Sequence, residues 1–160
     1  MMLARTTCAA VLFLAGTALC SAQIPEHPMC SDATLNGDYG FTIVGQILSP
    51  ALAAGLVSGV AMTHFDGHGN MTQVDHVLHN GGIPPAEEWR PGKGPYHVNE
   101  DCTGYMVITA EPTVASDTSP VLRLEFVVSN YGHRVDTVVT GSPTVPTFKS
   151  AITSTGIRTY

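Results

Sequence analysis

Residues 58–79 read SGVAMTHFDGHGNMTQVDHVLH, and the fold turns on how this stretch is read. Two runs of apolar and β-branched side chains, 58–65 and 71–79, flank Asp66-Gly67-His68-Gly69-Asn70. Two glycines and an asparagine in five residues supply the positive-φ positions that a hairpin loop requires. Side chains alternate along a strand. If Phe65 pairs with Met71, then His64 opposes Thr72 and shares a face with His76.

The same pattern recurs on both sides. Residues 39–48 place Tyr39, Phe41, Ile43 and Ile47 on one face at period two. Residues 96–99 and 104–110 flank a second reversal, Glu100-Asp101-Cys102-Thr103, and 121–129 and 134–140 flank a third, Asn130-Tyr131-Gly132-His133. Leu122, Leu124, Phe126 and Val128 share a face, and a last strand falls within 151–158. About eight strands joined mostly by short reversals predict an all-β chain. The architecture expected is a single antiparallel up-and-down β-barrel, with a two-sheet β-sandwich as the alternative. Residues 51–56 (ALAAGL) read as a helical turn or a connection that caps a cavity or packs on the sheet. Residues 81–94 (GGIPPAEEWRPGKG) read as a loop on their glycines and prolines, and hold the sole tryptophan, Trp89.

The 160 residues suit one domain, or one domain plus a short processed segment, and a charged share of 12% excludes a charge-rich disordered chain. Seven Lys+Arg against 13 Asp+Glu give a net charge of −6 with no basic block, so nucleic acid is not an expected partner. After Arg5, the apolar run at residues 8–19 (CAAVLFLAGTAL) falls short of the roughly 20 residues that span a bilayer. It reads as the centre of a signal peptide cleaved after Ala22. The expected organisation is therefore a signal peptide at 1–22 and a β-barrel domain at 23–160. No membrane anchor remains after processing, and the location is secreted or periplasmic. Cys8 and Cys20 leave with the signal, and Cys30 and Cys102 pair most simply as a disulfide in an oxidising compartment.

Three segments carry a family likeness: Cys30 with Leu35-Asn36-Gly37-Asp38-Tyr39, Asp66-Gly67-His68-Gly69-Asn70, and Asp101-Cys102-Thr103-Gly104. They resemble the Leu-x-Gly-x-Tyr opening, the Asp-Gly-x-Gly-Asn hairpin and the Asp-Cys-Thr-Gly turn of a group of small secreted bacterial proteins. That group is similar in fold to the allene oxide cyclase-like, lipocalin-like barrels. The resemblance implies secretion, a barrel and a disulfide, and matches no cyclase catalytic residue to a position in this chain.

Seven histidines invite a metal reading, four of them within 64–79. Strand geometry opposes it. Thr72 and His76 lie roughly 13 Å apart along one strand, whereas ligands sit about 2 Å from their metal. His76 and His79 are an odd number apart and face opposite ways. No metal site and no cofactor are expected. Asp66 and Asn70 are too few oxygens for calcium. The adjacent pairs Glu87-Glu88 and Glu100-Asp101 read as solvated loop carboxylates. Neither a Gly-x-Ser-x-Gly elbow nor a phosphate-binding glycine loop before a helix is present.

The aromatic residues supply the functional hypotheses. Tyr39, Phe41, Tyr105 and Phe126 would line a lumen, with His76 as a polar group among them and Trp89 over its mouth. Plain core packing is the competing reading of the same aromatics. The first function expected is a non-catalytic barrel that binds a small apolar or amphipathic molecule. The second is an isomerase or cyclase in the same cavity, with His76 or Tyr105 as acid–base partner. The third is an extracellular interaction protein that uses its loops, especially 81–94.

Overall fold

The computed structural model describes residues 29–82, 89–111 and 121–159. The expected signal peptide, His27 and the Glu87-Glu88 pair lie outside them. Eight strands follow in chain order: β1 (Asn36–Ser49), β2 (Gly55–Asp66), β3 (Asn70–His79), β4 (Arg90–Val98), β5 (Thr103–Ala110), β6 (Leu122–Ser129), β7 (Arg134–Gly141) and β8 (Lys149–Arg158). Each pairs antiparallel with its neighbour in sequence, and β8 returns to β1, so the sheet closes into an up-and-down barrel. Closure removes every unpaired sheet edge, which a sandwich of the same strands would leave exposed.

The hairpin at residues 58–79 forms in the expected register, with Phe65 opposite Met71 and His64 opposite Thr72. Gly67 and Gly69 take the positive φ values of 76° and 96° that tighten its turn. Asp66 supports the same turn. Its carboxylate accepts from the backbone amides of His68 (2.7 Å) and Asn70 (2.9 Å), and from Asn70 Nδ2 (3.0 Å). These donors, the Asn70 amide first, pull the Asp66 pKa down to about 2.

The reversals at 66–70, 99–103 and 130–133 all lie at one end of the barrel, and that end is sealed. A 3₁₀ turn, Asp32–Thr34, crosses it, and Leu35 plugs it with no exposed surface. Three rings stack edge to face beneath the plug, Tyr39 on Phe65 (5.2 Å between centroids) and Phe65 on Tyr96 (5.0 Å). Tyr96 Oη lies 2.9 Å from the carbonyl oxygens of both Asp32 and Leu35, and its single proton serves the pair. Tyr39 donates its hydroxyl to the carbonyl of Gly132. Burial raises both phenol pKa values, that of Tyr96 to about 12. The Cys30–Cys102 disulfide ties the N-terminal approach to the β4–β5 turn at the same end. Such a bond fits an oxidising compartment.

Two local expectations are corrected. The first is the loop at 81–94, whose last five residues belong to β4, which begins at Arg90 despite Pro91, Gly92, Gly94 and Pro95. Pairing with β3 runs unbroken from Asn70–Pro95 to Asp75–Arg90, and Pro91 still offers its carbonyl to the Glu111 amide (2.8 Å). Ladder contacts from both sides override the weak local propensity. The second is the stretch 51–56. Its first residues form the expected helical turn, a 3₁₀ turn at Ala51–Ala53, but residues 55–56 already belong to β2, and Leu52 stands fully exposed rather than packed on the sheet.

Candidate functional site

Alternation sends Phe41, Ala61, Thr63, Met106, Leu124 and Ile152 into the barrel above the aromatic layer. They do not fill it. A cavity of about 500 Å³ opens toward the end where the longer connections lie. On β4, Gly92 lies beside the Gln73 side chain and adds no side chain of its own, while Gly94 sits against the Val107 carbonyl of β5, where a Cβ has no room. The Phe41 ring lies over Gly156 of β8, and the Phe126 ring over Gly104 of β5. Both rings are thereby held against the wall instead of crossing the lumen. A volume of this size with mostly apolar walls is what a small-molecule site presents.

The polar groups of the wall are few. Gln73, Asp75 and His79 follow Met71 on the inward face of β3, and Arg90 faces them from β4. Arg90 Nε donates to Asp75 Oδ1 at 2.8 Å, and Gln73 Nε2 donates to Asp75 Oδ2 at 3.2 Å. Asp75 keeps 13% of its side-chain surface exposed and Arg90 30%, so the carboxylate is mostly covered while the guanidinium stays partly exposed. His79 sits at the mouth, its Nε2–H donating to the Ala53 carbonyl at 3.0 Å. Deeper, Thr137 and Ser154 share a hydrogen bond of 2.7 Å between β7 and β8.

The sequence-selected residues fall on both sides of the wall. Phe41 borders the cavity. Tyr39 and Phe126 are buried in the core without bordering it. His76 falls outside, between the inward Asp75 and Val77, with its ring 5.6 Å from that of Trp89. Trp89 is half-exposed beside it rather than over the mouth. Tyr105 also faces outward, with the Arg123 guanidinium 4.3 Å above its ring and His97 at its edge. The geometry therefore does not bring His76 or Tyr105 to the lumen, where an acid–base role would need them.

The other histidines are dispersed. His64 is paired with Asp38 on the outer face (2.8 Å), His97 is paired with Asp32 (3.2 Å), and His68 caps the hairpin tip. Among the described residues no group of three His, Cys, Asp or Glu side chains is placed to hold a metal ion.

Gln73, Asp75, His79 and Arg90 were not selected for the lumen, and His79 entered only the metal reading. For the first three the signal was present. Once Met71 opposes Phe65, period two carries Gln73, Asp75 and His79 onto the core face, where polar residues are out of place. Arg90 left no such signal, because its strand looked like a loop.

Comparison with protein families, with curated proteins and with solved structures returns no match. Function is then to be read from the lumen's own chemistry.

Proposed function

We propose that this protein is a non-catalytic carrier that holds a small apolar or amphipathic molecule in the barrel lumen. The observation behind this reading is the cavity of about 500 Å³, apolar along most of its wall and bordered by Gln73, Asp75 and Arg90. Burying about 200 Å² of apolar ligand surface there contributes about 5 kcal/mol before the costs of association. The outward positions of His76 and Tyr105 favour binding without turnover over an isomerase that uses them. The disulfide supports work in an oxidising compartment, in keeping with a secreted or periplasmic carrier.

Native mass spectrometry of the protein from its own host, with titration of an apolar fluorescent dye, tests the proposal. A discrete non-covalent adduct, or saturable dye uptake that Phe41→Ala weakens and Trp89→Ala leaves alone, is the expected result. A bare mass with no saturable uptake would overturn it and turn attention to the outer loops. Conversion of the bound molecule on incubation would replace the carrier with an enzyme.

A further inference from the structure

An ion pair inside an apolar barrel calls for a reason. Desolvating a carboxylate and a guanidinium costs several kcal/mol per ion, and well-packed apolar residues usually serve stability as well or better. Asp75 and Arg90 nonetheless face each other on the lumen wall, with Gln73 completing the carboxylate's contacts. The Arg90 contact is made through Nε alone. Among the described residues neither of its terminal amino groups has a hydrogen-bond partner, although the side chain borders the cavity. A guanidinium held by one edge presents the other edge as a planar pair of donors.

The charge balance then selects the ligand. Asp75 and Arg90 cancel, and the only other titratable side chain on the described wall is His79, already engaged with Ala53 at the mouth. A carboxylate ligand would bring an uncompensated negative charge into an apolar cavity, close to Asp75. The chain's net charge of −6 gives an anion no long-range attraction either. A neutral oxygen accepts the same hydrogen bonds without that penalty.

We infer that the lumen selects an uncharged amphipathic molecule whose carbonyl or hydroxyl oxygen accepts from the terminal amino groups of Arg90, its apolar body lying against Phe41, Met106 and Leu124. Asp75 acts as the positioning residue that fixes the guanidinium plane. This inference rests on the carrier reading above and adds the chemical class of its cargo.

Octane, octanol, methyl octanoate and octanoate form a matched series for the test, with affinities read by displacement of the apolar dye at neutral pH. Octanol and methyl octanoate are expected to bind roughly tenfold or more tightly than octanoate. Arg90→Lys keeps a charge for Asp75 and removes the planar fork. It should cost the alcohol and the ester about tenfold while leaving octane unchanged. The double variant D75N/R90Q removes both charges together, avoids a lone buried ion, and should give the same pattern. Preferred binding of octanoate would overturn the uncharged class and leave the carrier reading standing. Equal losses for octane and octanol in the variants would overturn the Arg90 contact. No uptake of any of the four, nor of the dye, would overturn the carrier reading itself.

Discussion

The Phe41 ring lies flat over Gly156, its direct partner across the β1–β8 seam, in space that a Cβ at residue 156 would claim. Phe126 stands in the same relation to Gly104 across the β5–β6 pair. In each case the glycine's missing side chain lets an aromatic ring lie against the wall. At Gly156 this leaves open the lumen that Phe41 borders.

Gly156→Ala should therefore destabilise the fold by about 1–3 kcal/mol, as overpacking a filled site does. Denaturant unfolding followed by circular dichroism measures it. An unchanged midpoint would show that the Phe41 ring yields into the cavity at no cost.

Filling the lumen should separate binding from stability. Ala61 is a small residue on the cavity wall, and Ala61→Phe adds a ring where there is space for one. Dye affinity should fall at least tenfold, on the order of 1.4 kcal/mol, while the melting temperature holds or rises. Undiminished uptake would place the bound dye somewhere other than the lumen.

The Cys30–Cys102 bond closes a loop across a sequence separation of 72 residues. The chain-entropy description assigns such a closure about 4 kcal/mol. Reduced protein, or the double variant Cys30→Ala/Cys102→Ala, should unfold at a lower denaturant concentration than the oxidised form. Coincident curves would contradict this.

Acid should loosen the β2–β3 hairpin. The Asp66 carboxyl is held at about 2 against an ordinary value of 3.8, by the Asn70 amide, the Asn70 side chain and the His68 amide in that order. A depressed folded-state pKa contributes stability in full above the unfolded value, and loses it as pH falls through the folded one. This contribution should disappear between about pH 4 and pH 2. Asp66→Ala should flatten the fall of unfolding free energy over that window, and a slope equal to the parent's would rule out the assignment.

At the alkaline end the sign reverses. Tyr96 is raised to about 12 by burial, so its contribution is whole below the ordinary value of 10.0 and is lost as pH climbs through about 12. Near-ultraviolet difference absorbance should show phenolate appearing at Tyr96 only together with unfolding. Tyr96→Phe should lower the stability at neutral pH, since the Asp32 and Leu35 carbonyls lose their shared donor, and should flatten the alkaline fall, since Phe has no proton to lose.

Much of the barrel was legible because period-two patterning and turn chemistry are local. Asp66-Gly67-His68-Gly69-Asn70 set the β2–β3 register, and Leu122, Leu124, Phe126 and Val128 marked one inward face of β6. The start of β4 was not legible, since Pro91, Gly92 and Gly94 are strand residues only because β3 and β5 lie on either side. The candidate site suffered from the same limit. Selection by aromatic character found Phe41, and it also chose Tyr105 and Trp89, whose ring contacts are on the outer surface.

By itself the sequence determined the all-β pattern, the number of strands and the three tight reversals, because each depends on neighbours a few residues apart. Closure of β8 onto β1, the seal formed by Leu35, Tyr39, Phe65 and Tyr96, and the meeting of Arg90 with Asp75 were decided by tertiary structure alone. Whether an inward face is filled or hollow depends on what the opposite wall contributes. That sum over eight strands is a property of the closed barrel and of no single segment.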